Sequence, residues 1–154
     1  MPLPSVRLAE PGDAGRIAEL YAQLVNDPAV VVLPERITEL ARDRNTRLLV
    51  CEQLGNVCGT ALLSFCADAM FGRQPFAVVE NVVVGTHLRG QGIGSALMRH
   101  IELLCLEADC SKIMLLSSAH REDAHRFFER AGFASTSKRG FVKYRRAFSS
   151  GNPL

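Results

Sequence analysis

The clearest chemical pattern of this chain lies in a glycine-rich turn, Arg89-Gly90-Gln91-Gly92-Ile93-Gly94. A β-branched apolar run at 77–84 precedes the turn and predicts a buried strand. The residues after it predict a helix at 95–104, because Ile93, Leu97 and Ile101 recur at helical spacing on one face. Such a turn attracts anions, because glycine lets the backbone come close to a ligand and the free amides and dipole of the helix face it. The pattern therefore predicts a site for a phosphate or pyrophosphate group.

Two common phosphate-binding loops do not match this turn. A nucleotide-triphosphate loop needs Lys-Ser or Lys-Thr after its last glycine, whereas Ser95-Ala96 follows Gly94 here. A dinucleotide fingerprint needs a third glycine at the position where this chain has Leu97. A dinucleotide-binding oxidoreductase is therefore disfavoured.

Hydrophobic spacing and turn residues predict the elements that position this turn, in the order βααβββαβαβ. A hairpin is expected around Gly55-Asn56, and Gly132 is expected to end the last helix. The predicted strands are 6–9, 47–52, 57–65, 77–84, 112–117 and 141–145, and the predicted helices are 11–26, 34–43, 95–104 and 122–131.

Two motifs carry a resemblance to a known family. Arg89-x-x-Gly92-x-Gly94, directly after a strand that ends in Val82-Val83-Val84, resembles the acyl-CoA pyrophosphate loop of the GNAT superfamily of N-acyltransferases. The stretch 121–133 is similar to the late motif in which a GNAT helix ends on Tyr-Glu-x-x-Gly-Phe. The resemblance implies one α/β (α+β) domain over residues 1–148 and a flexible tail at 149–154. The expected sheet is mixed, mostly antiparallel, six- to seven-stranded and flanked by about four helices.

The resemblance also implies acetyl-CoA, or a close acyl-CoA, as the cofactor. Backbone amides of 91–95 would hold its pyrophosphate, with Arg89 adding charge, and backbone groups of Val82 and Val84 would pair with the pantetheine arm. The late helix would pack near the thioester. The implied cofactor-binding residues are Val82, Val83, Val84, Arg89, Gly90, Gln91, Gly92, Ile93, Gly94, Ser95, Arg121, Ala124, Phe127 and Phe128.

Direct transfer to an amine needs a group that accepts a proton, because an amine with a pKa near ~10 is mostly protonated at neutral pH. Glu80 is the candidate base, since a carboxylate inside an apolar strand is unusual and desolvation would raise its pKa. The alternatives are that Glu80 pairs with an arginine, that it orients the acceptor, or that water relays the proton. Asn81 is expected on the opposite side of the sheet from Glu80.

The proton donor to the leaving thiolate departs from the family pattern. The family often has a tyrosine in the late motif where this chain has Phe128, which lacks a hydroxyl. The substitutes are Tyr144 on the predicted last strand, His120 and Cys66, whereas His87 is expected to shape the loop. Two alternatives remain: the leaving group departs unassisted, or the chain binds acyl-CoA as a sensor or interaction module without turnover.

The acceptor amine is expected between two apolar segments, the connector 27–33 and the loop 67–76. The candidate substrate-binding residues are Val30, Phe71, Arg73 and Glu80. Arg73 would bind a carboxylate or phosphate. The stretch 80–92 is also similar to glucosamine-phosphate N-acetyltransferases. The predicted function is acetyl transfer from acetyl-CoA to a primary amine of a small molecule, with an amino sugar phosphate or a protein lysine as alternative acceptors.

Composition sets further limits. The 154 residues are 47% hydrophobic and 22% charged, which is typical of a soluble globular domain. No membrane segment or signal peptide is expected, so a cytoplasmic location is predicted. The net charge of +2 is too small to indicate nucleic-acid binding. The five cysteines lack metal-ligand spacing and are expected to be buried, with no metal bound. The resemblance also implies a homodimer that pairs through late edge strands, such as the one predicted at 141–145.

Overall fold

The computed structural model describes residues 2–149, and the chain divides into two compact units, Met1–Leu115 and Leu116–Leu154. The first unit holds a sheet and three helices, and the second holds one helix. The strands are β1 (Ser5–Leu8), β2 (Thr46–Gln53), β3 (Asn56–Cys66), β4 (Phe76–Val84) and β5 (Ile113–Leu115). The helices are α1 (Ala14–Leu24), α2 (Pro34–Arg42), α3 (Ile93–Glu107) and α4 (Glu122–Arg130). Short 3-10 turns lie at Pro11–Asp13, Thr86–Leu88 and Arg145–Ala147.

The five strands form one mixed sheet in chain order, β1-β2-β3-β4-β5. The first three pairings are antiparallel, and β4 pairs with β5 in parallel. Parallel neighbours need a crossover between them, which α3 supplies. The β2–β3 hairpin turns at Leu54 and Gly55, both at positive φ, one residue earlier than the predicted turn. The predicted fold class, a mostly antiparallel mixed sheet with four helices, is confirmed.

Apolar side chains of the helices in the first unit cover both faces of the sheet. Ile17 and Leu20 of α1 are fully buried in a cluster that also includes Val50 and Val83 of the sheet. Burying side chains of this size contributes roughly 1.5–3 kcal/mol each. The predicted inner face of α3 is confirmed at Ile93, Leu97 and Ile101, which are at most 1% exposed.

Gly59 of β3 lets α3 lie close to the sheet. A Cβ at this position would lie 3.0 Å from Ile93 Cγ2 and 3.3 Å from Leu97 Cδ1. A larger residue would therefore push the first turns of α3 away from β3. This contact holds the start of α3, and with it the glycine-rich turn, against the strand.

The predicted last strand at 141–145 is wrong, and the described sheet has five strands rather than six or seven. These residues are exposed and pair with no other strand in the described part of the chain. The segment makes local ring contacts instead, with the Arg146 guanidinium 4.9 Å from the Tyr144 ring centre. Strand propensity alone does not predict a strand, because a strand forms only where the edge of another strand accepts its hydrogen bonds.

The remaining elements match the predictions within a few residues, except that β5 covers only three residues of the predicted 112–117. Most of the predicted tail, residues 150–154, lies outside the described residues. Within residues 2–149, the structure contains no helix with the length and hydropathy that a bilayer crossing requires.

Candidate functional site

Two glycines of the glycine-rich turn adopt a backbone conformation that other residues disfavour. Gly90 and Gly92 have φ of +79° and +82°, in the left-handed region that side chains disfavour. A Cβ at either position would meet nothing within 4 Å, so the requirement comes from φ and not from space. Gly92 is the N-cap of α3, and this left-handed residue turns the chain from the loop into the helix.

Backbone amides are available at the start of α3. The helical hydrogen bonds begin with the Ala96 N–H, which donates to the Gly92 carbonyl at 2.9 Å. The amides of Ile93, Gly94 and Ser95 precede this bond and have no acceptor within the helix. No side chain caps the helix, and Arg89, Gln91 and Gly92 beside it are exposed. This end of α3 fits the predicted binding of a pyrophosphate group.

The start of the turn is held by residues that the sequence patterns did not identify. The Thr86 N–H and hydroxyl both donate to Gln23 Oε1 of α1, at 2.9 and 2.8 Å. The Gly85 N–H donates to the Cys58 carbonyl at 2.8 Å. A single polar side chain on an amphipathic helix forms no sequence pattern. The hydrogen bonds of Gln23 to Thr86 are therefore known only from the structure.

Strand β4 bulges at Asn81. Thr60 of β3 pairs with Val83 and Leu62 pairs with Glu80, so two residues of β4 face one of β3. Asn81 has a φ of +56°, which asparagine tolerates better than most residues. The bulge interrupts the alternation of side chains, and both Glu80 and Asn81 are exposed. Glu80 and Asn81 therefore do not follow the regular alternation of side chains. That alternation was the basis for predicting them on opposite sides of the sheet.

The Asn81 side chain is hydrogen-bonded to Tyr21 of α1. Burial raises the pKa of the Tyr21 hydroxyl, and the bond to Asn81 opposes that rise. The apolar spacing of α1 places Tyr21 on the inner face of the helix, and no motif in the sequence marks it as a site residue. Its polar end makes it a further candidate for the site, because it fixes the residue next to Glu80.

The pairing between β4 and β5 stops halfway along β4. Its last pair is Val79 with Leu115, so 80–84 have no strand partner on that edge among the described residues. Free N–H and C=O groups of an extended strand pair readily with an extended ligand. This open edge leads along β4 to the turn at the start of α3, and fits the predicted pairing of Val82 and Val84 with a pantetheine arm.

The predicted desolvation of Glu80 is wrong, because the carboxylate is exposed to solvent. The bulge carries it out of the apolar run in which the sequence places it. The carboxylate lies on the half of β4 that has no partner from β5. The base role therefore rests on position and not on burial.

The four predicted substrate-binding residues lie in different places. Val30 is half-buried in the connector before α2, and Phe71 is 58% exposed in the loop before β4. Arg73 lines a cavity with Phe65 and Ala108, next to the C-terminal end of α3. Phe65 pairs with Ala77, whereas Glu80 pairs with Leu62. Because side chains alternate along β3, Phe65 and Glu80 lie on opposite faces of the sheet.

The second unit carries the other predicted site residues on or beside α4. Arg121 is the N-cap of this helix, and Ala124 and Phe127 are half-buried on it. Phe128 is only 8% exposed, with ring centres 5.2 Å from Phe127 and 6.1 Å from Phe133.

The late motif has a structural role in ending α4. The Gly132 N–H donates to the Glu129 carbonyl and the Phe133 N–H donates to the Phe128 carbonyl. With Gly132 at a φ of +98°, this is a Schellman motif, and the Phe128–Phe133 contact completes it. The predicted glycine stop is confirmed.

The substitute proton donors differ in exposure. Tyr144 is 59% exposed and lies outside any strand, in contrast to the prediction. His120 and His87 are exposed, and Cys66 is half-buried. Three of the five cysteines, at positions 51, 58 and 105, are buried as predicted.

Comparison with known proteins supports the resemblance. The sequence profile described as the Acetyltransferase (GNAT) family matches residues 16–133. A glucosamine 6-phosphate N-acetyltransferase of Trypanosoma brucei brucei is 28% identical over 131 residues, which cover 83% of this chain and 87% of that protein.

Solved structures share the fold. An acetyltransferase of Trypanosoma brucei is 25% identical, with a TM-score of 0.76 over 92% of this chain and 99% of that one. A glucosamine-6-phosphate N-acetyltransferase of Arabidopsis thaliana has a TM-score of 0.79 at 22% identity, covering 94% and 99%, and this likeness shows the fold alone. The glycine-rich turn, the open edge of β4 and the profile match agree, and the chain belongs to the GNAT family of acetyltransferases.

Proposed function

We propose that this protein transfers an acetyl group from acetyl-CoA directly to a primary amine of a small molecule. The main observation behind the proposal is that two features occur together in the first unit. Unpaired amides at the start of α3 suit a pyrophosphate, and the open edge of β4 suits an extended arm. Together they would hold an acyl-CoA along β4, with its thioester toward Glu80.

The chain's own groups would hold acetyl-CoA as follows. The amides of Ile93, Gly94 and Ser95 would donate to the pyrophosphate, and the exposed Arg89 would add positive charge. Val82 and Val84 would pair through their backbone with the pantetheine amides. Bound acetyl-CoA supplies an activated acetyl group on a thiol leaving group.

Glu80 would take up the proton that the amine loses. The amine nitrogen forms a bond to the acetyl carbon, the carbon–sulfur bond breaks, and the thiolate takes up a proton from water or a side chain. Glu80 is exposed on the open half of β4, within reach of a ligand there. The bulge and the Tyr21–Asn81 bond would fix its direction.

No tyrosine occupies the position of Phe128, so we propose that the thiolate leaves without a side-chain acid at that position. Phe128 is buried between Phe127 and Phe133, where it offers no donor. Tyr144 remains a second candidate for the acid. Activity that is lost in Tyr144→Phe would assign the acid role to Tyr144, whereas unchanged activity would support departure without it.

An amino sugar phosphate is the first acceptor to test. The Trypanosoma brucei brucei relative, 28% identical to this chain, is a glucosamine 6-phosphate N-acetyltransferase. A protein lysine is the alternative acceptor. A non-catalytic acyl-CoA-binding module is the alternative function, and the phenylalanine at position 128 favours it.

The test is release of CoA from acetyl-CoA, followed with a thiol reagent across a panel of amines. The panel contains glucosamine 6-phosphate, glucosamine, amino acids, polyamines and lysine peptides, and a blank without amine corrects for the cysteines of the protein. We expect release that depends on one amine class. Tight acetyl-CoA binding without release for any amine would favour the binding module.

Glu80→Gln tests the base with the best amine. We expect a fall in kcat of about 10² or more, with acetyl-CoA affinity retained, because general bases contribute typically 10²–10⁴-fold. Glu102→Gln, an exposed glutamate on α3, is the matched control and should keep full activity. Equal activity of both variants would remove Glu80 from the mechanism.

The cytoplasmic location and the homodimer stay predictions. The absence of a strand at 141–145 removes the edge on which the dimer was predicted. Light scattering that gives one chain per particle would contradict the dimer.

A further inference from the structure

A second charged site lies at the other end of α3 from the glycine-rich turn. A cavity of about 330 Å³ opens there, between the loop before β2, the end of β3 and the loop before β4. Its lining includes three arginines, Arg44, Arg47 and Arg73, together with Asn45, Phe65 and Ala108. We name this the arginine cavity. All of its lining residues belong to the first unit.

The guanidinium of Arg47 is held in a fixed position. Its Nη1 donates to the carbonyls of Asp43, Arg44 and Thr46, at 3.2, 3.1 and 3.0 Å. Its carbon centre lies 5.6 Å from the centre of the Phe65 ring. The hydrogen bonds use one nitrogen, and the other two nitrogens have no partner among the described residues. A guanidinium held in this way loses little side-chain entropy when it binds a ligand.

Arg44 and Arg73 are positive charges without a partner. Both are exposed, and neither has an ion pair or a hydrogen bond from its side chain within residues 2–149. Some other arginines have carboxylate partners, as Arg7 with Asp13 and Arg36 with Glu39. Like charges in one cavity repel each other, so three guanidiniums without a carboxylate partner among the described residues indicate a place for a bound anion.

Three aspartates stand next to lining residues in the sequence, and each accepts a hydrogen bond from the backbone or from an amide side chain. Asp43 Oδ1 accepts from the Asn45 N–H, and Asp68 Oδ1 accepts from the Ala69 N–H. Asp109 Oδ1 accepts from Gln74 Nε2 at 3.5 Å. None of these three lines the arginine cavity. The charge of the cavity lining is therefore positive.

The arginine cavity is separate from the predicted acetyl-CoA site. Ala108 lies at the C-terminal end of α3, and the glycine-rich turn lies at its N-terminal end. A helix of 15 residues is about 22 Å long. Phe65 also lies on the opposite face of the sheet from Glu80, as the register of β3 and β4 requires.

We propose that the arginine cavity binds a small molecule that carries a phosphate monoester, at a site distinct from the acetyl transfer site. Arginine forks match the oxygens of a phosphate, and a phosphate monoester carries nearly two negative charges at neutral pH. The volume is at the small end of ligand pockets, which suits a sugar-sized molecule. Ala67 and Pro75 of the lining offer an apolar surface to the rest of that molecule. This inference does not depend on acetyl transfer.

The test is calorimetric titration with glucose 6-phosphate, which has no amine and cannot be acetylated on nitrogen. We expect binding to the wild-type protein that persists when CoA is added in excess. Arg44→Gln and Arg73→Gln should each weaken binding about tenfold, since a charge-assisted hydrogen bond contributes ~1.5 kcal/mol or more. Both side chains are exposed, so the variants should fold, and thermal unfolding followed by circular dichroism checks this.

Arg99→Gln is the matched control, because Arg99 is an exposed arginine of α3 outside the cavity. It should change the affinity less than twofold, and uncharged glucose should not bind. Absence of glucose 6-phosphate binding to the wild-type protein overturns the proposal. Equal affinity of wild type and an Arg44→Gln/Arg73→Gln double variant also overturns it, as does displacement of the ligand by CoA, which would place it in the glycine-rich turn.

Discussion

The side chain of Tyr21 on α1 is hydrogen-bonded to that of Asn81, the left-handed residue at which β4 bulges. This bond ties a helix on one face of the sheet to the point where β4 departs from regular alternation. Glu80 lies directly before the bulge and is exposed as a result. The hydrogen bond between Tyr21 and Asn81 therefore helps to orient the neighbouring Glu80, the candidate base.

Tyr21→Phe removes this hydrogen bond with almost no change in volume. We expect a loss of about 1 kcal/mol in the free energy of unfolding, because the hydroxyl is partly buried and its loss leaves Asn81 without this partner. The measurement is urea unfolding at neutral pH. Tyr144→Phe, at an exposed tyrosine, is the control and should leave stability within about 0.5 kcal/mol. Equal stability of the two variants would mean that the bond does not hold the bulge.

Gly92→Ala tests the conformation of the glycine-rich turn. An alanine at a φ of +82° costs about 1–2 kcal/mol, and relief of this strain would move the amides at the start of α3. We expect acetyl-CoA affinity to fall about tenfold or more, measured by calorimetry. Gly15→Ala in α1 is the matched control, since Gly15 has an ordinary φ and open space around it. Unchanged acetyl-CoA affinity in Gly92→Ala would argue against binding at this turn.

Asp13→Asn should make stability less dependent on pH. Arg7 donates to Asp13 at 2.8 Å and to Glu52, and its bond lowers the pKa of Asp13 from the ordinary value of 3.8. A lowered pKa in the folded state means that ionised Asp13 stabilises the protein above its unfolded-state pKa. This contribution is lost as the pH falls through the folded-state pKa.

We expect Asp13→Asn to cost about 1 kcal/mol at pH 7, since both side chains of the pair are partly exposed. The difference from wild type should shrink below about pH 4. Urea unfolding from pH 7 to pH 3 measures both effects. A difference that stays constant over this range would exclude the linkage to Asp13.

The cysteines should differ in reactivity toward a thiol reagent at pH 8. Burial raises the pKa of Cys51 to about 11 and that of Cys105 to about 12, so their thiolates are scarce and shielded. We expect the half-buried Cys66 and Cys110 to react before the buried Cys51, Cys58 and Cys105, because partly exposed thiols are accessible to the reagent. All five should react in denaturant. Rapid reaction of Cys105 in the native protein would contradict its burial.

Local patterns in the sequence were sufficient for much of the fold. Apolar spacing places Ile93, Leu97 and Ile101 on one helix face, and they are buried. The predicted glycine stop of the last helix is also present, with Gly132 at a φ of +98°. These predictions succeed because periodicity and helix termination depend on neighbouring residues.

Predictions that depend on a distant partner were less successful. The segment 141–145 has strand-forming residues, yet no edge of the described sheet accepts it. Glu80 is surrounded by β-branched residues in the sequence, but a bulge that β3 and β4 form together exposes it. Strand pairing and bulges are properties of two segments at once, so one segment cannot reveal them.

The sequence by itself was sufficient to identify the family by resemblance and to predict the glycine-rich turn, because both depend on residue types at fixed short spacings. Only the tertiary structure decided that Tyr21 meets Asn81, that Gln23 holds Thr86, and that Arg73 joins Arg44 and Arg47. Each of these groupings joins residues from separate elements. Their distances are set by how helices and strands pack, which no local pattern of residues encodes.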